Sequence, residues 1–289
     1  MKKILITGAT GNVGLEVLAA LQKLPHSFEV RAGVRNPAKD AEKITGILPT
    51  LVPFDFTDPA TFRPALTGCD LLFLLRPPQL SEVQKYFKPL IDTAKETGVQ
   101  CIVFLSVQGV ESSTLIPHHT IEKLIVESGI PYVFLRPAYF MQNFTTTLLP
   151  DLRLRKRIFL PAGHAKFTLI DVRDIGAAAA LILTDSAKHL YKAYELTNNE
   201  KLTFGEMAAA LSQALDVTIQ YESPNLLRFF WAKRRENVPT MLILVMIMLH
   251  YLPRFQKEPA ITDWVEKLTG TPPVSFAQFI LNHRKALHP

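Results

Sequence analysis

Cysteine is scarce. Only Cys69 and Cys101 occur in 289 residues, each inside an apolar run ("GCDLLFLL", "VQCIVFLS"). That excludes a disulfide-stapled scaffold and a cysteine-rich metal site. Two buried structural thiols are expected instead, in a protein of a reducing, cytoplasmic compartment. Long hydrophobic runs are missing too. The most membrane-like stretch, "TMLILVMIMLHYL", lies between Pro239 and Pro253 and falls short of the roughly 20 residues that a spanning helix needs. It predicts a buried or pocket-covering helix and no membrane span. No small-residue cleavage site follows the two N-terminal lysines, so no signal peptide is expected. Charged residues are 20% and apolar residues 48%, which excludes a disordered chain. The formal charge of +6 has its densest runs in "RLRKR" (153–157) and "AKRR" (232–235). Both are brief and lack interleaved aromatics, so they read as a solvated basic face and not as a nucleic-acid site.

What is present is an alternation. Short apolar runs ("KILI", "FEVRAGV", "TLVPF", "DLLFLL", "CIVFLS", "PYVFLR") alternate with helical patterns near 13–23, 59–66, 80–97 and 119–128. This is the signature of a doubly wound parallel sheet. The fourth and fifth runs are almost wholly apolar, as strands covered on both faces are. In "TDPATF", Thr57 or Asp58 is the expected cap, with Pro59 at the first helical position. Beyond Pro137 the rhythm loosens. "DIGAAAALILTD" and "KAYEL" are read as a helix, capped by Asp174, and a strand that rejoin the sheet. "LTFGEM" and "VSFAQF" carry the spacing of capping boxes, Thr203 with Glu206 and Ser275 with Gln278. The expected division is a nucleotide-binding domain over 1–150, rejoined by segments near 166–198, and a small, mostly helical lobe over 199–289.

Gly8, Gly11 and Gly14 follow the first strand and open the first helix, the context in which such spacing signals dinucleotide binding. Gly8 permits the sharp turn, Gly11 lets the backbone approach a pyrophosphate, and Gly14 lets helix and sheet pack closely. Amides around Asn12 and Val13, at the positive end of the helix dipole, would hold the phosphates. At the end of the second strand, NAD-binding chains usually place an acid. This chain has "GVRNPAK", with Arg35 and, one helical turn on, Lys39. A guanidinium matches a 2′-phosphate, so NADP(H) is the expected cofactor and NAD(H) the alternative. The bland reading is an exposed arginine at a strand end. Asp55, after the third strand, is placed to accept a bond from an adenine amine, with Phe56 lining the pocket. Arg76, closing the apolar fourth strand, faces the cofactor, an anionic substrate group or solvent.

"TGATGNVG", "VRNPAK", "HTIEKLIVESGIPYVFLRPAYFMQNF" and "VEKLTGTPPVSFAQF" together resemble the NmrA-like family of atypical short-chain dehydrogenases/reductases, over residues 1 to about 284. The resemblance is greatest to its quinone oxidoreductase-like and triphenylmethane reductase-like members. It implies a Rossmann-type domain and a small C-terminal lobe with a site in the cleft between them. By motif, Gly8, Thr10, Gly11, Asn12 and Val13 would contact the phosphates and Arg35 the 2′-phosphate. Asp55 and Phe56 would bracket the adenine, and Lys123 would bond the nicotinamide ribose. Tyr139 and Phe140 of "RPAYF" would wall the nicotinamide, with Asn143 orienting that loop, and the three are the candidates for substrate contact. Ser106 stands where the superfamily carries its catalytic serine, to order the ribose or a water.

One departure from the superfamily stands out. His119 occupies the position of its proton-donating tyrosine, four residues before Lys123. An imidazole can donate a proton near neutral pH, but the favoured reading is a helix-surface histidine near the cleft mouth, with catalysis by His119 as the alternative. The favoured expectation is an NADPH-dependent reductase passing hydride to a small, flat, hydrophobic conjugated acceptor such as a quinone, in a pocket of Tyr139, Phe140 and the apolar helix near 241–252. The rival is a catalytically silent NADP(H) sensor that binds a protein partner. A sugar-nucleotide epimerase is a third reading, weakened by the same missing tyrosine.

Overall fold

Seven apolar runs become strands of one parallel sheet in the computed structural model, which describes residues 2–25, 28–44, 46, 49–114 and 116–289. They are β1 (Lys3–Ile6), β2 (Glu29–Val34), β3 (Thr50–Pro53), β4 (Leu71–Leu75), β5 (Cys101–Leu105), β6 (Tyr132–Pro137) and, after three strands of a second unit, β10 (Lys192–Leu196). Their order is β10-β6-β5-β4-β1-β2-β3. The chain winds outward through β2 and β3 and then returns to start the other half at β4, so direction reverses between β1 and β4. In open α/β sheets ligands bind outside the carboxyl ends of the strands at such a reversal. Thr7 ties the two strands together there: its amide and hydroxyl both donate to the Phe73 carbonyl at 3.0 Å, and the Leu75 amide donates to its Oγ1 at 2.9 Å.

The helices of this first unit follow from apolar spacing. Helix α1 (Asn12–Lys23) buries Val13, Gly14, Val17, Leu18 and Leu21, one stripe of a 3.6-residue period. The helix Val83–Glu96 buries Val83, Phe87, Leu90, Ile91 and Ala94 in the same way. Asp58 is the cap of the 3₁₀ turn at Pro59–Thr61, accepting from the Ala60 amide at 3.1 Å. The helix Pro117–Ser128 stops at Gly129 in the left-handed region. Its buried Glu122 holds Arg136 of β6 through two bonds, at 3.1 and 2.7 Å. Both cysteines are buried and free, and burial pushes the Cys101 thiol up to about 12.

The chain forms two compact units, and neither is continuous. The first comprises Met1–Pro137, Val172–Leu196 and Trp264–Pro272; the second comprises Ala138–Asp171, Thr197–Asp263 and Pro273–Pro289. The first unit thus gives up the chain at Pro137, where β6 ends, and not near residue 150. The helix Val172–Thr184 returns to lie against α1. A Cβ on Gly176 would fall 2.7 Å from the Glu16 backbone carbon, so only glycine permits that approach. This helix starts two residues before Asp174, which therefore sits in its first turn and is not its cap.

In the second unit, β7 (Tyr139–Phe140), β9 (Lys166–Ile170) and β11 (Lys201–Thr203) form one small sheet, and β8 (Arg157–Phe159) pairs with β12 (Gln220–Glu222). Its core is aromatic, with Phe144, Phe159, Phe204, Phe229, Phe276 and Phe279 all fully buried. Thr203 and Glu206 form a complete capping box. The second box is half made: Ser275 accepts from the Gln278 amide, but the Gln278 side chain turns to Asn282. The apolar helix Thr240–Tyr251 buries only Ile243, Met246 and His250.

Candidate functional site

The glycine loop sits at the reversal of the sheet. Gly8 adopts a φ of +63°, open to glycine at little cost, and the Gly11 amide donates to the Gly8 carbonyl at 2.9 Å. A Cβ on Gly14 would lie 2.2 Å from the Gly8 oxygen and 2.8 Å from the Ala9 Cα. No side chain caps α1 and no acid lies in its first turn. Its positive end thus carries neither a side-chain cap nor a first-turn acid, with Gly11 and Asn12 exposed and Thr10 half-exposed, while Val13 packs inward. Such an end holds an anion with backbone amides.

One strand over, Arg35 follows the last residue of β2, which pairs with β1 from Lys3 to Ile6. Arg35 and Lys39 are exposed, and neither has a carboxylate within ion-pair distance among the described residues. The nearby carboxylate, Asp40, is claimed by Lys43 at 2.8 Å and the Asn36 amide at 3.1 Å, and these bonds hold its carboxyl below the usual range. Ser106, after β5, is 2% exposed and its hydroxyl has no hydrogen-bond partner among the described residues. A buried hydroxyl left unpaired costs about 1–3 kcal/mol, so this atom suits a ligand or a water. Uncapped helix, glycine cradle, unclaimed cations and orphan hydroxyl together fit a dinucleotide.

Other expected residues have acquired local work. The Asp55 carboxylate accepts from the Thr57 amide and hydroxyl, both at 2.8 Å. Phe56 is buried against Phe54 and Phe87. Arg76 is half-buried: its Nη1 donates to the carbonyls of Pro77, Pro78 and Leu80, and its Nε approaches His118 Nε2 at 3.4 Å. Lys123 projects from the helix surface, 67% exposed, with Glu127 at 3.7 Å. His119 is one turn before it, its Nδ1 3.3 Å from the Val110 carbonyl.

In the second unit, Tyr139 packs edge-on against Phe167, Phe204 and His250. The Met246 carbonyl can only accept, so His250 Nδ1 carries the proton and donates to it at 2.6 Å; Nε2 is then free to accept from the Tyr139 hydroxyl at 3.2 Å. Burial raises the Tyr139 hydroxyl pKa, against a bond from Asn143. Phe140 pairs with Ile170 in the sheet.

Sequence reading missed His118 and His250. The available signal for His250 was its standing as the one imidazole in an apolar helix. For His118 it was only adjacency to His119. Burial holds His250 down to about 4. At His118 burial, with Arg76 beside it, holds the imidazole down to about 3. Both stay neutral in the folded protein while the unfolded imidazole protonates near 6.5. The unfolded state therefore binds the extra protons, and stability falls as pH drops from about 6.5 toward about 4. Moving from pH 7 to pH 5 is expected to remove roughly 2 kcal/mol through His250 alone. Thermal melts across that range test this. His250→Gln should flatten the slope, and an unchanged slope would refute the assignment.

Comparison with known proteins agrees with this architecture. The NmrA-like family model matches residues 1–232. The NAD(P)H azoreductase of Xenophilus azovorans is 32% identical over 287 residues, 98% of each chain. The prestalk A differentiation protein A of Dictyostelium discoideum is 30% identical over 276 residues, 96% of this chain and 90% of that one. The Escherichia coli NADPH-dependent quinone oxidoreductase, solved in complex with NADPH, superposes with a TM-score of 0.84 at 26% identity, covering 96% of this chain and 99% of that one. With the family model spanning well over half of its length, the chain belongs to the NmrA-like family.

Proposed function

We propose that this protein is an NAD(P)H-dependent oxidoreductase that prefers NADPH and reduces a small, flat, conjugated acceptor of the quinone or azo type. The carrying observation is the uncapped glycine loop at the β1/β4 reversal, with the unpaired Arg35 at the end of the neighbouring strand. In this reading the amides from Gly8 to Val13 hold the pyrophosphate and Arg35, with Lys39, holds the 2′-phosphate. Asp55 and Phe56 are the candidates beside the adenine, and Ser106 Oγ orders the ribose or a water. The bound nucleotide supplies the hydride, and the chain supplies binding and orientation. Tyr139, Phe140 and Asn143 are the candidates for acceptor contact. The azo- and quinone-reducing relatives support this choice of acceptor.

A second reading, a nucleotide sensor, draws on the helix Pro117–Ser128. Lys123 faces Glu127 at the surface and His119 meets a backbone carbonyl, so no acid–base pair is assembled there. Titration with NADPH and NADH separates the possibilities. NADPH is expected to bind more tightly. Arg35→Ala should weaken NADPH by roughly 30-fold, the loss of a charged hydrogen bond of about 2 kcal/mol, and leave NADH nearly unchanged. Turnover with a panel of quinones, azo dyes and conjugated carbonyls then decides between reductase and sensor. If neither nucleotide binds, both readings fall.

A further inference from the structure

The two basic runs, 79 residues apart from the start of one to the start of the other in a chain of 289, meet on one face of the second unit. Asp151 draws them together. Its carboxylate accepts from Lys233 at 2.6 Å, Arg155 at 2.8 Å and Arg157 at 3.2 Å. Glu236 bonds both Lys233 and Arg155, and Glu222 bonds Arg157 at 2.9 Å and Arg228 at 3.1 Å. The seven cations of the two runs and Arg228 stand against only three carboxylates in this network. Arg153, Lys156, Arg234 and Arg235 are exposed, without a carboxylate partner among the described residues.

On this face a groove of about 360 Å³ is lined by Arg157, Phe159, Arg228, Trp231, Ala232 and Arg235, the last of these being one of the four cations without a carboxylate. The helix Leu226–Arg235 turns Leu227, Trp231 and Arg235 outward at spacings of four, while Phe229 and Lys233 are buried. Trp231 is 60% exposed, Leu227 74% and, within the other run, Leu154 81%. Exposed leucine and tryptophan side chains beside an unpaired Arg235, with Arg157 and Arg228 sharing the single carboxylate of Glu222, match a surface that is both apolar and phosphate-bearing. Arginines meet phosphates, while the indole and the leucines enter the boundary between headgroup and acyl chain. A nucleic-acid backbone gives the leucines nothing to bury in.

We propose that this face binds the surface of anionic phospholipid bilayers, with headgroup phosphates in the groove and Trp231 inserted beside them. No helix among the described residues is long and apolar enough to cross a membrane, so the contact is peripheral. It does not depend on the nucleotide site.

The test uses the full chain and vesicles of phosphatidylglycerol mixed with phosphatidylcholine, against phosphatidylcholine alone. Co-sedimentation is expected only with the anionic vesicles and is expected to weaken with salt. Tryptophan emission should shift to the blue on binding, and Trp231→Phe should abolish that shift, leaving Trp264 as the remaining tryptophan. Arg234→Glu combined with Arg235→Glu should lower partitioning by roughly 25-fold or more, about fivefold for each basic residue removed. NADPH affinity should not change. If that variant melts early, Arg153→Gln with Lys156→Gln, at two exposed and unpaired positions, carries the same expectation on a smaller scale. Equal binding to neutral vesicles, full binding by the charge variants, or capture of a single-stranded oligonucleotide without capture of vesicles would each overturn the proposal.

Discussion

Gly14→Ala is expected to cost the protein both stability and the nucleotide affinity proposed above. The added methyl would meet the Gly8 oxygen at 2.2 Å and the Ala9 Cα at 2.8 Å. These are backbone atoms of the glycine loop, so no side-chain rotation relieves the clash and the loop itself must move. Overpacking of this kind costs about 3 kcal/mol, which in a chain of this size lowers the melting temperature by roughly 6–12 °C. Displaced amides should weaken NADPH binding at least about tenfold, since each charged hydrogen bond is worth about 1.5–3 kcal/mol. Gly205→Ala is the control. It sits in the first turn of the helix Phe204–Leu215, its nearest neighbour would be 3.7 Å away, and helix propensity favours the change by up to about 1 kcal/mol. Wild-type melting and wild-type nucleotide affinity in Gly14→Ala would show that the loop has a different geometry.

The second large effect is expected at Asp151, which is 3% exposed. Asp151→Asn leaves the buried Lys233 ammonium facing Glu236 as its remaining carboxylate. Breaking a buried ion pair from one side costs about 3–5 kcal/mol, whereas replacing both partners with apolar groups is often close to neutral. Asp151→Leu paired with Lys233→Met should therefore recover much of what Asp151→Asn loses. The pH dependence carries a definite sign. Burial alone would raise the Asp151 carboxyl, but the bonds from Lys233, Arg155 and Arg157 overcome it and hold the group below its ordinary 3.8. Its contribution is thus complete above that value and disappears as pH falls through the lower, folded one. Denaturant melts between pH 5 and the acid limit should show this loss in the parent and not in Asp151→Asn. Equal slopes would remove Asp151 from the account.

These two positions also mark what a sequence can and cannot convey. Gly14 was legible because the demand on it is local: a strand, a turn and a helix within a dozen residues. The strands were legible for a similar reason, since β4 and β5 are covered on both faces and must be apolar throughout. Even the return of "KAYEL" to the sheet could be read from its pattern. Asp151 was not legible, because its partner Lys233 lies 82 residues away. The same holds for Arg76 with His118 and for Tyr139 with His250, at separations of 42 and 111 residues. Spacing rules describe neighbours on one element and are silent about which elements meet. Gln278 shows the limit at short range. It has the spacing of a capping box, yet its amide takes Asn282 one turn further along.

The brace that Gly176 permits against Glu16 has a bearing on how the protein is made. The helix Val172–Thr184 that packs against α1, and the edge strand Lys192–Leu196, are translated only after the whole segment Ala138–Asp171 of the other unit. A nascent chain that has emerged as far as Pro137 holds every residue of the glycine loop but lacks its support. Vectorial synthesis therefore leaves six parallel strands waiting for a seventh, with an apolar flank of α1 uncovered, until about residue 196 clears the ribosome. During that interval the sheet edge and the helix flank are the surfaces a chaperone would find.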